Sequence, residues 1–467
     1  MSRISWAVRS ALPSVMIAIL PTSTPAIAQQ CQPAWANGSN IGDPGFLSTG
    51  EALVVFDDGT GPALYAGGFF GTAGGVTVNN IARWDGASWS PLGSGTNNGI
   101  RTLVVFDDGT GPALYAGGVF TTAGGVVAHG VAKWDGSSWS PLGEGLTGAD
   151  ADVDTLTVFN DGAGSALYVG GNFTTAGGAP VNNIAKWDGS TWSSVGGGVS
   201  STSSPFSQVV GLTTFNDGTG SALYAGGYFT SAGGVTVNHI AKWDGSSWSA
   251  LGNGMSGDTI GTSVWGMTAF DDGTGPALYA GGIFTTAGGV GAGNIAKWNG
   301  SSWSPLGHGV SGAFNVRVHA LTTFDYGAGP ALYIGGLFST AGSVTANSIA
   351  QWNGSAWSPL GSGMTSHSGG MARPVFAMTV FNDGTGPALY SVGDFNTAGG
   401  THARGVAKWS GCTGAVPADL NGDGVVNGSD LGALIVQWGT NGPADFNGNS
   451  AVDGADLETL LTNWGPV

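Results

Sequence analysis

A unit of about fifty residues recurs seven times between residues 51 and 412, and nothing else in the chain narrows the fold as far. The second copy shows its parts. Leu103-Val-Val-Phe106 is followed by Asp107-Asp-Gly-Thr-Gly111 and by Ala113-Leu-Tyr-Ala-Gly-Gly118. Phe120-Thr-Thr-Ala-Gly-Gly125, Val131-Ala-Lys-Trp-Asp-Gly136 and Trp139-Ser-Pro-Leu-Gly143 complete it. The Trp that ends the penultimate segment falls at Trp84, Trp134, Trp187, Trp243, Trp298, Trp352 and Trp409, with spacings of 50, 53, 56, 55, 54 and 57.

Each unit parses into four short strands. Leu-Val-Val-Phe and Ala-Leu-Tyr-Ala-Gly-Gly are apolar runs of strand length, as expected where both faces are covered. Asp-Asp-Gly-Thr-Gly is a turn of residues that tolerate positive φ. Trp-Asp-Gly-Ser-Ser-Trp is a tight hairpin, because Asp-Gly suits the primed turns that match strand twist. Four strands repeated at this period predict an all-β, seven-bladed β-propeller of four-stranded blades, an arrangement that leaves no long exposed edge.

The ends of the repeat array predict how it closes. Six units carry a second Trp after the hairpin, at Trp89, Trp139, Trp192, Trp248, Trp303 and Trp357. The seventh stops at Trp409-Ser-Gly-Cys412, while a lone Cys31-Gln-Pro-Ala-Trp35 precedes the first unit. The N-terminal segment is therefore expected to supply the missing outer strand, placing Cys31 beside Cys412 for a disulfide. A bridge over so long a loop is worth about 4–5 kcal/mol by chain entropy.

Residues 1–28 read as an export signal: Arg3 and Arg9 precede an apolar stretch from Ala11 to Leu20, and Ala26-Ile27-Ala28 is a small-residue cleavage site. The apolar run is too short for a bilayer, and no later segment would serve. A secreted or cell-surface protein is expected, in a compartment that permits a disulfide. The formal charge of −17, with no Lys- or Arg-rich run, argues against a nucleic-acid partner.

These repeats resemble the Kelch and galactose-oxidase type of propeller, and more closely the Gly-Gly-x-Phe-Thr-Thr-Ala-Gly-Gly repeats of the cell-polarity-marker group. The resemblance covers about residues 31–412 and implies architecture rather than activity, since propellers host enzymes and binding modules alike. Copper chemistry of the galactose-oxidase kind would need a Cys–Tyr crosslink within the repeats, and both Cys lie at the ends. The Trp-Asp-Gly-Ser-Ser-Trp segment lacks the spacer of a sialidase Asp box.

Beyond a linker at 413–416 the character changes. Residues 417–467 contain no Lys or Arg and form two matching runs. In the first, Asp419, Asn421, Asp423, Val425, Asn427 and Asp430 occupy positions 1, 3, 5, 7, 9 and 12 of a loop; in the second, Asp445, Asn447, Asn449, Ala451, Asp453 and Asp456 do. Oxygen donors at alternating positions are what calcium requires, with Val425 and Ala451 offering backbone carbonyls. Gly424 suits the sharp turn at position 6; Ser450 replaces it in the second loop, where a weaker site is expected. Leu431, Leu434, Ile435 and Trp438, and 26 residues later Leu457, Leu460, Leu461 and Trp464, mark two amphipathic helices. This stretch resembles a type I dockerin, a small α-helical domain of paired F-hands. The resemblance implies two Ca²⁺ sites and calcium-dependent docking to a cohesin-like protein. Positions 10 and 11 are Gly428-Ser429 and Gly454-Ala455 rather than the family's usual hydroxyl pairs.

No catalytic constellation is expected. The Asp57-Asp58 and Asp107-Asp108 pairs recur with the repeat and read as turn chemistry. The histidines are scattered: His129, His239 and His402 in or near loops between the second and third strands, His308 and His319 in the linker after Leu306. These loops and linkers share one face, and the linkers vary most there, as between Val199 and Val210, so a glycan or protein ligand belongs on that face. Tyr228 and Trp265 break the repeat and offer stacking surfaces. The expectation is a secreted, non-catalytic binding or scaffold propeller with a calcium-dependent docking module; the alternative is a polysaccharide-active extracellular enzyme, which an acid or His cluster on the variable face would mark.

Overall fold

The computed structural model describes residues 33–466 apart from 37–40, 42–44, 47, 203, 205, 258–260, 328, 367–370, 411–417, 419, 421–424, 427, 441, 443 and 448–450. Residues 1–28, where an export signal is expected, and both cysteines, Cys31 and Cys412, lie outside the described residues. The chain is all-β and propeller-like, with seven four-stranded antiparallel sheets among the described residues.

The second sheet shows how the repeat makes its strands. Its inner strand, Ile100–Asp107, pairs with Pro112–Gly118, which pairs with Val131–Trp134 and then Trp139–Pro141. Asp107 Oδ1 accepts the N–H groups of Gly109 at 2.8 Å and Gly111 at 3.0 Å, closing the first turn. Asp135 Oδ1 accepts from Ser137 at 2.8 Å and Ser138 at 2.7 Å, closing the hairpin. Ala113 to Gly118 is buried on both faces, which is why it reads as one apolar run rather than an alternation.

The second Asp of the turn has a different task. Asp108 Oδ2 accepts from Tyr115 Oη at 2.8 Å and from Lys133 Nζ at 2.6 Å, fastening three strands. The same trio recurs as Asp161–Tyr168–Lys186, Asp217–Tyr224–Lys242, Asp272–Tyr279–Lys297 and Asp383–Tyr390–Lys408, with Arg83 replacing Lys beside Asp58 and Tyr65. Burial works against the charge on Asp217, Asp272 and Asp383, but the Lys and hydroxyl donors outweigh it and hold each carboxyl down at about 2. The sixth sheet breaks the pattern. Tyr326 and Gln351 stand where Asp and Lys would be, and the buried Tyr333 hydroxyl makes no hydrogen bond.

Successive sheets pack face to face, each interface holding one cluster of buried side chains. Phe56, Leu92, Phe120 and Trp134 belong to the first such interface, and Phe106, Leu142, Phe173 and Trp187 to the second. A further cluster joins Phe381, Tyr390 and Val392 of the last sheet to Leu64, Trp84 and Trp89 of the first. In the second to sixth hairpins the second Trp donates its indole N–H to the preceding unit, as Trp139 does to Leu92 O at 3.0 Å and Trp303 to Leu251 O at 2.9 Å, while Trp89 donates to Ile41 O at 2.8 Å. In the last sheet Trp35 does this, donating to Leu360 O at 2.9 Å. Its strand, Ala34–Trp35, pairs with Val406–Ser410, and the Trp35 and Trp409 rings stand 5.0 Å apart.

The C-terminal residues carry two helices, α1 (Gly428–Val436) and α2 (Gly454–Thr462). Their core is a doubled set: Ala418, Val426 and Leu434 pack with Ala444, Val452 and Leu460, each pair 26 residues apart. Val425–Val426 pairs with Gly465–Pro466. Only part of each expected apolar stripe is covered. Leu434 and Leu460 are fully buried, whereas Ile435, Trp438, Leu461 and Trp464 are about half exposed. Among the described residues no helix is long and apolar enough to cross a membrane.

Candidate functional site

Every inner strand is one residue longer than its partner requires. The register with the second strand slips once in each sheet, and the extra residues are Glu51, Arg101, Asp154, Val210, Trp265, His319 and Phe376. Such a bulge bends the strand and re-aims the side chain it carries. The cost falls on the facing Gly-Gly: a Cβ on Gly118 would lie 2.2 Å from Gly99 O, so only glycine fits. All seven bulge residues line one cavity of about 510 Å³, with Phe206, Gln208, Tyr228 and Arg317.

One arc of the cavity is polar. Arg101 Nη1 donates to Asp152 Oδ2 at 2.9 Å and to Asp154, so a single guanidinium from the second sheet clamps two carboxyls of the third. Gln208 Nε2, from the fourth sheet, donates to Asp154 Oδ2 at 2.5 Å. Burial and the neighbouring Asp152 carboxylate push Asp154 up to about 7, against the pull of Arg101 and Gln208. Burial also raises Glu51, only partly offset by Arg101.

The other arc is aromatic. Tyr228 and Trp265 meet edge to face at 6.3 Å, Trp265 and His319 at 4.4 Å, and His319 and Phe376 at 4.8 Å. Phe206, half exposed in the linker before the fourth sheet, extends the series to Tyr228 at 5.9 Å. Trp265 Nε1 donates to Ser263 Oγ at 2.5 Å, which fixes the indole plane. Within this arc Arg317 Nε donates to His319 Nε2 at 2.8 Å. Burial and the adjacent guanidinium push His319 down to about 3, so the imidazole is neutral and accepts. Among the described residues Arg317 makes no ion pair. The cavity thus sets acids, an amide and a compensated Arg against aromatic rings and an uncompensated Arg.

The sequence-derived candidates divide. Tyr228 and Trp265 do line this cavity. His319 is not in a linker; it sits within the inner strand Arg317–Phe324, as the bulge residue of the sixth sheet. The sequence reading found no acids here; the cavity has Glu51 and Asp154 on its polar arc, with Asp152 beside Arg101, while His319 stands apart on the aromatic arc. The cavity's signal was a column: two residues before the Leu or Met of each inner strand, the residue differs in all seven units while its neighbours repeat. The turn aspartates serve turns and the Lys–Tyr trios. A second cavity of about 330 Å³ lies between Phe46 and Ser48, ahead of the first sheet, and the last unit, and includes His402 and Arg404.

Of the calcium candidates, Asp419, Asn421, Asp423, Asn427 and Asn449 lie outside the described residues. In the second loop Asp456 Oδ1 accepts the N–H groups of Phe446 at 2.8 Å and Asn447 at 3.3 Å, and Oδ2 accepts from Asp453 at 2.9 Å. The last loop position is thereby drawn back to its start, holding a buried carboxylate whose backbone donors lower its pKa. Asp430 is equally buried. Among the described residues no three Asp, Glu, His or Cys side chains gather closely enough to hold a metal. An all-oxygen donor set around buried carboxylates, in a segment without Lys or Arg, fits a hard cation such as Ca²⁺.

No family model matches the chain. No curated protein matches it either. Among solved structures it is similar to the extracellular domain of a two-component system of B. thetaiotaomicron, at 11% identity and a TM-score of 0.44, over 81% of this chain and 39% of that one. It is similar to the BBS1N chain of a complex with ARL6DN, at 10% identity and a TM-score of 0.41, over 82% and 97% of the two chains. A GH74 xyloglucanase from Xanthomonas campestris shows 14% identity and a TM-score of 0.37, over 78% and 53%. The chain therefore spans about two-fifths of the first of these structures and about half of the third.

Proposed function

We propose that the seven sheets are the blades of a closed propeller and that the protein acts outside the cell as a non-catalytic, glycan-binding module, its axial cavity holding one sugar ring. The observation that carries this is the ring of bulges: seven successive inner strands each re-aim one non-repeating side chain into a single cavity. A sugar presents hydroxyls at its rim and an apolar C–H face. The carboxyl and amide groups of Asp154, Glu51 and Gln208 suit the hydroxyls, and Trp265 and Tyr228 suit the face. Binding of oligosaccharides to the full chain, compared with Trp265→Ala, tests this. Weaker binding in the variant with unchanged thermal stability supports it; no glycan bound by either protein refutes it.

The C-terminal residues add a Ca²⁺-dependent docking module of the dockerin kind, with a cohesin-like protein as partner. Asp419, Asn421, Asp423, Val425, Asn427 and Asp430 would hold one ion, and Asp445, Asn447, Asn449, Ala451, Asp453 and Asp456 a second. When bound, the cation supplies the positive charge that the buried acids need in order to pack. A disulfide between Cys31 and Cys412 would tie the propeller's ends.

A second reading has one specific observation behind it. Asp152 and Asp154 are neighbouring carboxyls, and the second is held near neutrality, a pattern suited to general acid–base work on a polysaccharide. Release of reducing ends from the bound glycan, lost in Asp154→Asn, would favour the enzyme over the binding module.

A further inference from the structure

The unpaired cation in the aromatic arc narrows the ligand further. Arg101 is compensated by Asp152 and Asp154, and Lys133, Lys186, Lys242, Lys297 and Lys408 are each paired in a trio. Arg317 lines the same cavity, half-buried, with its Nε committed to His319 and no carboxylate partner. Keeping a guanidinium out of bulk water without a counter-charge is costly. Its planar fork matches a carboxylate better than any other common group. Tyr228, Trp265 and Phe376 line the same arc of the cavity and offer apolar faces rather than counter-charge.

We propose that the cavity binds a uronic acid, a sugar whose ring carboxylate pairs with Arg317 while its apolar face lies on Trp265 and its hydroxyls reach Asp154, Gln208 and Glu51. This rests on the glycan-binding reading and specifies its ligand. The opposed arcs also fix orientation, because a carboxylate turned toward Asp152 and Asp154 would meet like charge. The formal charge of −17 repels a long polyanion from the protein as a whole. The occupant is therefore a single or terminal uronate residue, held by short-range pairing, rather than an extended acidic chain.

The test is calorimetric titration of the full chain at pH 7 with galacturonic and glucuronic acids, their methyl esters, and galactose and glucose. The ester keeps the ring and removes the charge. At least one acid should bind tenfold or more tightly than its ester. Arg317→Gln should abolish that preference by weakening the acid far more than the ester, and Arg317→Lys should restore part of it. Equal binding of acid and ester overturns the uronate assignment but leaves the glycan reading standing. So does an Arg317→Gln variant that weakens all sugars alike with no change in melting temperature. If none of the sugars binds, or if acetate binds as tightly as the acids, the glycan reading falls as well.

Discussion

Val392 of the last sheet faces Gly50 of the first, and the pair exchanges the sizes found at the other interfaces. Elsewhere the second strand offers Gly and the next inner strand offers Ile or Val: a Cβ on Gly117 would lie 2.5 Å from Val153 Cγ1. At the junction of last and first sheets the large residue is Val392, and a Cβ on Gly50 would come within 2.8 Å of its Cβ. The interface is thus specific to these two sheets.

Gly50→Val should destabilise the protein by about 1–3 kcal/mol through overpacking. Val392→Gly should cost a similar amount through lost packing and added backbone freedom. The double variant restores the pattern of the other interfaces and should recover most of the loss. Urea denaturation of the four proteins measures the coupling; additive losses would show that the two sheets do not meet in solution as described.

The sixth sheet offers a repair. Tyr333 buries a hydroxyl without a partner where five sheets use Asp and Lys, and one Asp and Arg. Tyr326→Asp together with Gln351→Lys rebuilds the trio and should stabilise by about 1 kcal/mol, the net worth of a satisfied buried hydrogen bond. Tyr326→Asp alone should gain less, since the new carboxylate lacks its cation. In the opposite direction, Asp383→Ala strands Lys408 and Tyr390, both nearly inaccessible, and should cost about 3–5 kcal/mol.

Much of this fold was legible because a repeat of short strands leaves few alternatives. Trp84 and its six equivalents marked the hairpins, and the odd Trp35 pointed to the strand that now pairs with Val406–Ser410. The cavity was not legible in the same way. A bulge leaves no mark in hydropathy, because Glu51 or Trp265 simply interrupts an alternation that the strand resumes one residue later. Asp154 and Trp265 come from the third and fifth sheets, so their lining of one cavity depends on how successive sheets pack, which no single unit encodes. His319 was misplaced for the same reason: the strand begins earlier than its apolar run. In the C-terminal residues the loop spacing was plain, but of the apolar stripe that includes Ile435 and Trp438 these two stay about half exposed, because Leu434 and Val426 fill the core without them.

Calcium should be visible in stability as well as in binding heat. Titration of the full chain should show two sites, and a chain ending at Gly414 should show none. Because Asp430 and Asp456 are buried in a segment with no Lys or Arg, chelation should unfold that segment while leaving the β-sheet signal intact. Asp456→Asn removes one charge and one loop position and should weaken one site about tenfold or more. Heat that persists in the truncated chain would place the ions elsewhere.

The cavity's two perturbed groups should leave opposite marks on stability against pH. Asp154 titrates at about 7 in the folded protein and near 3.9 unfolded, so the folded state holds its proton more tightly. Its contribution is greatest below about pH 4 and is lost as pH rises toward 7. His319 titrates at about 3 folded and near 6.5 unfolded, so the unfolded state takes up the proton first. Its contribution is complete above about pH 6.5 and is lost as pH falls toward 3. Between about pH 4 and 6.5 the two slopes, each at most about 1.4 kcal/mol per unit, largely cancel in the wild type. Asp154→Asn should therefore expose a stability that climbs with pH across this window, and His319→Gln one that falls. Melting temperatures of the three proteins at half-unit steps decide the matter: parallel curves would mean that neither group is held in the cavity as described.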